Sequence, residues 1–473
     1  MKNQFSLKHF QNIQNLFFIG VAGTGMSALA QYTAGLGKQV AGSDRFFSAN
    51  SSNNEVQQQL TNCGIQCFPQ DGSGINNQTD WVIISTAVEE SNVEYQKAKS
   101  LGIPILKRSS LLSILCKTKK TIAVGGTSGK STTTAMIFDI LDYAGLAPSI
   151  ISGAGLIRLQ KQGKIGNAHV GSGNWLVIEA DESDGSIVNY EPEIGILLNI
   201  DKDHKEIEEL NQLFHIFKNN SKLFITNSSH SLAAKFSQNP LNDFSSTNCT
   251  DCGFSATNYV QHSMIAQFFI NHTPFILNAY GKHNMENALA AVAVASKCGV
   301  SLPVCSKALE SYEGIYRRNQ LIGRAGNIWV IDDYAHNPAK VAAAIKSVQP
   351  LASKLIAWFQ PHGYGPTRFL RNDFVTEIKE ALREEDEIWM SEIYYAGGTA
   401  EKNISANDLI KDLKKLNCNA YFVENRVNWI NEVIKNNHLT ADTVILLMGA
   451  RDPELAQFAQ VAFSQLQNHF QQN

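Results

Sequence analysis

Thr121-Ile-Ala-Val-Gly-Gly126-Thr-Ser-Gly-Lys130-Ser131 is the stretch from which the rest of the chain can be read. A strand-like apolar run, Thr121 to Val124, enters a glycine turn, and a helix-compatible segment, Ser131 to Tyr143, follows. Glycines let backbone N–H groups converge on phosphate oxygens with no Cβ in the way. Lys130 supplies a point charge for the β- and γ-phosphates, the Ser131 hydroxyl suits Mg²⁺, and the helix points its positive end at the anion. The usual loop carries a further glycine at position 124, where Val124 stands. A glycine turn beside a surface lysine is therefore the alternative, but the strand before and the helix after favour nucleotide binding.

Two other stretches repeat the strand, turn, helix order. Leu16 to Ile19 enters Gly20-Val-Ala-Gly23-Thr-Gly25 ahead of a helical segment from Met26 to Leu36. Ile328 to Ile331 enters Asp332-Asp333-Tyr-Ala-His336 ahead of Pro338 to Val348. Such repetition predicts α/β architecture with parallel sheets. The chain has 473 residues, a prior of roughly three domains, and the basic links at Lys117–Lys120 and Tyr316–Asn319 place them at 1–118, 119–317 and 318–473.

Composition narrows the function. Lys plus Arg number 40 and Asp plus Glu 43, a net charge of −3, which leaves no electrostatic footprint for nucleic acid or an anionic membrane. With 44% apolar and 18% charged residues the chain is expected to fold. No run is long and apolar enough to predict a spanning helix, and Leu16 to Ala22 reads as a buried strand and not as a signal peptide. A cytoplasmic protein is the resulting expectation, monomeric or weakly dimeric. Among eight cysteines only Cys249-Thr-Asp-Cys252 has metal or redox spacing; with no second pair, two ordinary loop thiols are expected. The Asn/Gln-rich ends read as solvated tails.

Two acidic segments accompany the phosphate loop. Trp175 to Ile178 ends in Glu179-Ala-Asp181-Glu182-Ser-Asp184, and Ile194 to Ile200 ends in Asp201-Lys-Asp203-His204. Four carboxylates cannot all be buried unpaired. At strand ends they suit Mg²⁺, a hard cation that wants oxygen, although either segment alone could be a solvated strand end. In the first domain the glycine loop with Asp44, nineteen residues after Gly25, resembles a dinucleotide fingerprint with altered spacing. On those residues alone an NAD-type oxidoreductase stays open.

Taken in order, the motifs resemble the Mur ligase superfamily over nearly the whole chain, most closely the branch that loads L-alanine. They are Phe18-Ile-Gly-Val-Ala-Gly-Thr-Gly-Met26, Gly42-Ser-Asp44, Ile84-Ser85-Thr-Ala-Val88 and Gly126 to Ser131. Glu179 to Asp184, Asn199 to His204, Gly281-Lys-His283-Asn284-Met-Glu-Asn287 and Asp332 to Pro338 follow. The resemblance implies a Rossmann-like N-terminal domain, a central parallel sheet of P-loop ATPase type and a Rossmann-like C-terminal domain. It implies an ATP- and Mg²⁺-dependent ligase that joins L-alanine to UDP-N-acetylmuramate through an acyl phosphate in peptidoglycan precursor synthesis. A paralogue adding another amino acid or a recycled peptide to the same donor is the alternative.

Residue by residue, it implies UDP-sugar contacts at Gly23, Thr24, Gly25, Met26, Asp44 and Ser85. ATP contacts fall at Gly126, Thr127, Ser128, Gly129, Lys130, Ser131, Asn284, Asn287, Asp333 and His336. Metal ligands fall at Ser131, Glu179 and His204, and catalysis at Lys130, Glu179, His204 and His283. Asn287 as a helix cap and His336 as a core histidine are the structural alternatives. Some relatives carry a carbamylated lysine where Phe217 stands, so none is assigned here.

The third domain departs from the pattern. Pro361-His362-Gly363-Tyr-Gly-Pro366-Thr-Arg368 stands where the alanine-loading branch usually has Pro-His-Arg-Tyr-Thr-Arg-Thr-Arg. Arginine suits bidentate carboxylate binding, so the loss of two puts the incoming amino acid in question. Gly398 stands where a glutamate is usual, and Arg451 in Gly449-Ala-Arg451-Asp452-Pro453 where a glycine is usual. His362, Arg368 and Arg451 are the acceptor candidates.

Overall fold

The structure, a computed structural model, describes residues 5–47, 55–201, 206–395, 397, 401–436, 438–440 and 442–472. The chain divides into two compact units, Met1–Ile315 and Tyr316–Asn473.

The first unit begins with five parallel strands, β1 (Asn15–Ile19), β2 (Gln39–Asp44), β3 (Gln66–Pro69), β4 (Trp81–Ile84) and β5 (Ile105–Lys107), in the order β3-β2-β1-β4-β5. Leu16 to Ile19 are buried on both faces, as a strand covered by helices on each side requires. The helix after the glycine loop is Thr24–Gly35, beginning two residues earlier than the sequence suggests because Gly23 already caps it.

A second sheet contains β6 (Lys120–Gly125), β7 (Ser149–Ile151), β8 (Ala168–His169), β9 (Trp175–Glu179), β10 (Ile194–Leu197) and β11 (Leu223–Thr226). Its order is β11-β10-β6-β9-β7-β8, parallel except at β8. β6 lies between the two strands that end in acidic segments. Val124 pairs with Glu179 and Gly125 with Leu197, so both segments flank the phosphate loop. The helix Lys130–Tyr143 follows β6 and packs against Lys282–Lys297, whose run from Ala288 to Ala295 is wholly buried. A helix apolar all round belongs inside a core, and its alanines permit a close approach.

Four further strands, β12 (Phe244–Ser245), β13 (Phe254–His262), β14 (Ile265–Ile270) and β15 (Thr273–Leu277), form a small sheet in which β13, β14 and β15 are antiparallel. β14 alternates exposed and buried residues, the mark of a sheet with one wet face. Two expectations are corrected in the described residues. Cys249 and Cys252, expected as separate thiols, form a disulfide with Cα atoms 5.6 Å apart, since three residues of separation bring the two side chains together. The C-terminal end is no tail: it continues the helix Leu455–Gln472, in which Leu455, Phe458, Ala459, Ala462 and Leu466 make one apolar stripe.

The second unit carries β16 (Gln320–Ala325), β17 (Ile328–Asp333), β18 (Lys354–Gln360), β19 (Glu387–Met390), β20 (Asn419–Phe422) and β21 (Thr443–Gly449). The order is β16-β17-β21-β18-β19-β20, with only β16 antiparallel. The last strand in sequence inserts between β17 and β18. Asp333 then lies beside Met448, and Gly449 beside Gln360, so three strands end together.

Candidate active site

The phosphate loop is locked from several sides. Gly126 and Gly129 have φ of +139° and +80°, conformations that an L side chain rarely adopts. A Cβ at Gly129 would also stand 2.5 Å from Asn287 Oδ1. Asn199, at the end of β10, accepts from Thr127 Oγ1 and Ser128 N at 2.9 Å each and donates from Nδ2 to the Ser128 carbonyl at 3.2 Å. The Asp201 amide donates to Thr127 Oγ1 at 2.9 Å.

Lys130 heads the helix as the spacing predicts. Its ammonium donates to the Gly126 carbonyl at 2.6 Å and to both Glu182 oxygens at 2.8 and 3.0 Å. The pair is nearly buried. Burial pushes the Glu182 carboxyl up, and the Lys130 ammonium opposes that shift. Ser131 Oγ donates to Glu179 Oε2 at 3.0 Å. The other Glu179 oxygen accepts from Ser152 Oγ at 2.7 Å and Gly153 N at 2.6 Å, which fixes the carboxylate beside the helix start. Ser131 and Glu179 therefore offer oxygens within one small space, the donor type that Mg²⁺ prefers together with phosphate oxygens. Among the described residues no three His, Cys, Asp or Glu side chains gather tightly enough to hold a metal alone. His204 lies outside the described residues.

Asn284 and Asn287 are buried at the start of Lys282–Lys297. Asn287 Oδ1 accepts from Thr133 Oγ1 at 3.2 Å, and Asn284 Nδ2 donates to the Tyr280 carbonyl at 2.8 Å. Asn287 thus presses on the phosphate loop from behind instead of capping its own helix. His283 is exposed on the first turn, with Tyr280 against its ring. Phe217 is fully buried against Phe224.

In the first sheet the backbone amides of Gly20 and Val21 donate to the Ser43 carbonyl at 2.8 and 2.9 Å. Asp44 accepts from Ala22 N at 3.2 Å and Phe46 N at 3.1 Å. Gly23, Thr24, Gly25 and Asp44 come together there. The Met26 side chain does not join them: it is 3% exposed and belongs to the core. Ser85 follows β4 and accepts the Ala87 amide at 3.4 Å. Three residues that the sequence did not single out tie this loop to the second sheet or shape it. Arg108 Nη1 stands 2.7 Å from where a Cβ of Gly25 would be, and its guanidinium pairs with Asp184 at 3.3 Å. Asn167 donates to the Thr24 carbonyl at 2.8 Å and Ser27 Oγ at 2.9 Å. Glu94 accepts a hydrogen bond from Ser43 Oγ behind the turn.

In the second unit Asp333 accepts from Asn319 N at 2.7 Å and Ala335 N at 2.8 Å, so both its oxygens hold the turn after β17. His336 lies beyond that turn, its ring 5.6 Å from the His362 ring. Burial, foremost, and then Arg451 and His336 push His362 down to about 4; burial, with Lys340, Arg318 and Arg451, lowers His336, against the Tyr334 carbonyl. Both imidazoles are neutral at pH 7. Arg368 points elsewhere, to Asn403 Oδ1 at 2.5 Å and Glu401 at 3.8 Å. Gly398 lies outside the described residues.

Known proteins match this arrangement along its length. Residues 15–120 match the description "Mur ligase family, catalytic domain", 124–295 "Mur ligase middle domain" and 317–451 "Mur ligase, glutamate ligase domain". The UDP-N-acetylmuramate–L-alanine ligase of Dictyoglomus turgidum is 34% identical over 455 residues, covering 93% of this chain and 94% of the relative. That of Bdellovibrio bacteriovorus is 33% identical over 413 residues, covering 84% and 88%. Among solved structures, the UDP-N-acetylmuramate–alanine ligase of Thermotoga maritima aligns with TM-score 0.77 at 25% identity, covering 96% of this chain and 99% of that one. A murein peptide ligase from Psychrobacter arcticus shares the fold, with TM-score 0.65 at 20% identity and coverage of 96% and 99%.

Proposed function

The chain belongs to the Mur ligase family, and from that premise we propose that it joins L-alanine to UDP-N-acetylmuramate at the expense of ATP. The observation that carries this reading is the convergence of Lys130, Ser131 and Glu179 at the end of β6. A carboxylate is a poor electrophile because its charge repels an incoming nucleophile. Transfer of the ATP γ-phosphoryl group to the lactyl carboxylate of the donor makes an acyl phosphate. That transfer releases ADP; the amine of the amino acid then attacks the acyl-phosphate carbonyl with loss of a proton, and the tetrahedral intermediate expels phosphate to leave the amide.

The residues suit these steps. Lys130 neutralises charge on the transferring phosphoryl group, and the start of the helix Lys130–Tyr143 receives the phosphates. Ser131 and Glu179 would hold Mg²⁺, which supplies charge neutralisation and in-line alignment when bound. The loop of Gly23, Thr24 and Gly25 with Asp44 takes the UDP-sugar. His283, Asn284, Asn287, Asp333 and His336 remain candidates toward the nucleotide, and His204 toward the metal. A nicotinamide-dependent reaction would leave Lys130, Ser131 and Glu179 without a task.

Gly363 and Pro366 favour a second reading, in which another amino acid or a short peptide replaces L-alanine. We place the enzyme in the cytoplasm; no helix among the described residues is long and apolar enough to cross a membrane. The test is phosphate release from ATP with UDP-N-acetylmuramate and Mg²⁺, screened against single amino acids and cell-wall peptides. L-Alanine should drive release, and Lys130→Ala should abolish it in a protein that still folds. Unchanged turnover in Lys130→Ala would refute the phosphate-loop assignment.

A further inference from the structure

β17, β21 and β18 are parallel neighbours, and their carboxyl ends open onto one edge of the second unit. In open α/β sheets the crevice beyond the strand ends, where chain order reverses, is where ligands bind. Here β21 returns from the end of the sequence to lie between β17 and β18, which makes such a reversal. The three strands release, in turn, His336, Arg451 and His362.

Arg451 is the unusual member. Its φ is +64°, in the left-handed region, where a residue with a Cβ is strained and glycine is not. Its side chain is exposed, and it has no ion pair among the described residues. Its surroundings, in contrast, are pinned. Arg317 pairs with Asp332 and donates to the Gly449 carbonyl at 2.8 Å. Arg426 pairs with the buried Asp452 and donates to Gln360 Oε1 at 3.2 Å. The loop is therefore held on both sides in a conformation that does not suit its central residue. Strain of this kind persists where the rest of the structure over-determines it, and it gathers at ligand-binding positions.

The other arginines near this edge are engaged, and Arg318 lies over the Tyr334 ring, 5.6 Å from its centroid. Arg317 and Arg426 serve buried carboxylates, and Arg368 turns to Asn403 and Glu401. Gly363, at φ +75°, and Pro366 bring no charge. The two imidazoles are neutral and can donate or accept without repelling an anion. Arg451 thus presents a guanidinium with no ion pair or ring contact among the described residues beside the neutral His362 ring, a chemistry suited to a small carboxylate.

We infer that Arg451 receives the carboxylate of the incoming amino acid and so sets which amine substrate this chain accepts. The inference rests on the ligase reading above. The phosphate loop and the glycine loop of the first unit are given there to ATP and the UDP-sugar, and Asp333 and His336 to the nucleotide, which leaves Arg451 and His362 at this edge for the third substrate.

The test is steady-state kinetics on the full chain, with L-alanine and L-alaninamide as alternative acceptors. Arg451→Gly should raise KM for L-alanine about tenfold or more, as loss of a charge-assisted bidentate contact does, with KM for ATP and donor unchanged. Its melting temperature should hold or rise, because glycine relieves the φ strain. Arg451→Lys should recover part of the affinity. The wild-type chain should prefer L-alanine to its amide, and Arg451→Gly should lose most of that preference. An alanine KM within twofold of wild type in Arg451→Gly overturns the inference. So does a rise confined to the KM for ATP, or a wild type that uses the amide equally well. These outcomes separate from failure of the ligase reading, in which the wild type forms no amide with any acceptor.

Discussion

Asn199→Ala tests how the phosphate loop is held. The side chain makes three hydrogen bonds, to Thr127 Oγ1, Ser128 N and the Ser128 carbonyl, at 2.9, 2.9 and 3.2 Å. At about 1 kcal/mol net for each, their loss is bounded at about 3 kcal/mol. Asn199 is only half-buried, so water replaces part of them, and about 1–2 kcal/mol of loop organisation is lost. That free energy is charged to nucleotide binding, because the loop must then be ordered by the ligand. ATP affinity should fall roughly five- to thirtyfold. The assay is calorimetric titration with a non-hydrolysable ATP analogue and Mg²⁺, beside KM for ATP from phosphate release. Donor affinity should not move. ATP affinity within twofold of wild type, in a folded variant, would show that the glycines and Asn287 hold the loop without Asn199.

Asp44→Ala should weaken UDP-sugar binding while leaving KM for ATP alone, since both Asp44 oxygens brace the glycine turn through Ala22 and Phe46; equal donor affinity would count against that placement. Glu94 predicts a pH effect: burial raises its carboxyl to about 6, with the Ser43 hydroxyl opposing. The folded chain then binds this proton more tightly than the unfolded chain, so the stabilisation is complete below the ordinary carboxylate pKa and is lost as pH rises through about 6. Glu94→Gln lacks that titration. Unfolding curves should show its stability relative to wild type improving by about 1–2 kcal/mol between pH 4.5 and 6.5, and a flat difference would refute the burial argument.

What the sequence disclosed and what it hid follow one physical division. The strand, glycine turn and helix around Gly126 to Tyr143 were legible because each signal is local: an apolar run, φ-permissive residues and a helix start. The Asn199 clamp was not, because it exists only once β10 pairs with β6, and strand pairing at long range leaves no spacing to read. Arg108 and Asn167 were silent for the same reason. The carboxylates after β9 were expected as metal ligands, yet their tasks differ. Glu179 faces Ser131, Glu182 neutralises Lys130, and Asp184 meets Arg108. At the C-terminus the Asn and Gln count obscured a stripe from Leu455 to Leu466 whose period is that of a buried helix. Arg451 was visible as an odd residue, but its left-handed backbone was not.

The Lys130–Glu182 contact has a consequence for selectivity. Because its ammonium is already matched by a carboxylate, the loop presents little net attraction to a lone anion. A ligand that displaces Glu182 must also quiet the negative charge so released beside its own phosphates. Free inorganic phosphate cannot do so. A triphosphate arriving with a divalent counterion can, and the loop is thereby biased toward the chelated nucleotide before any chemistry begins.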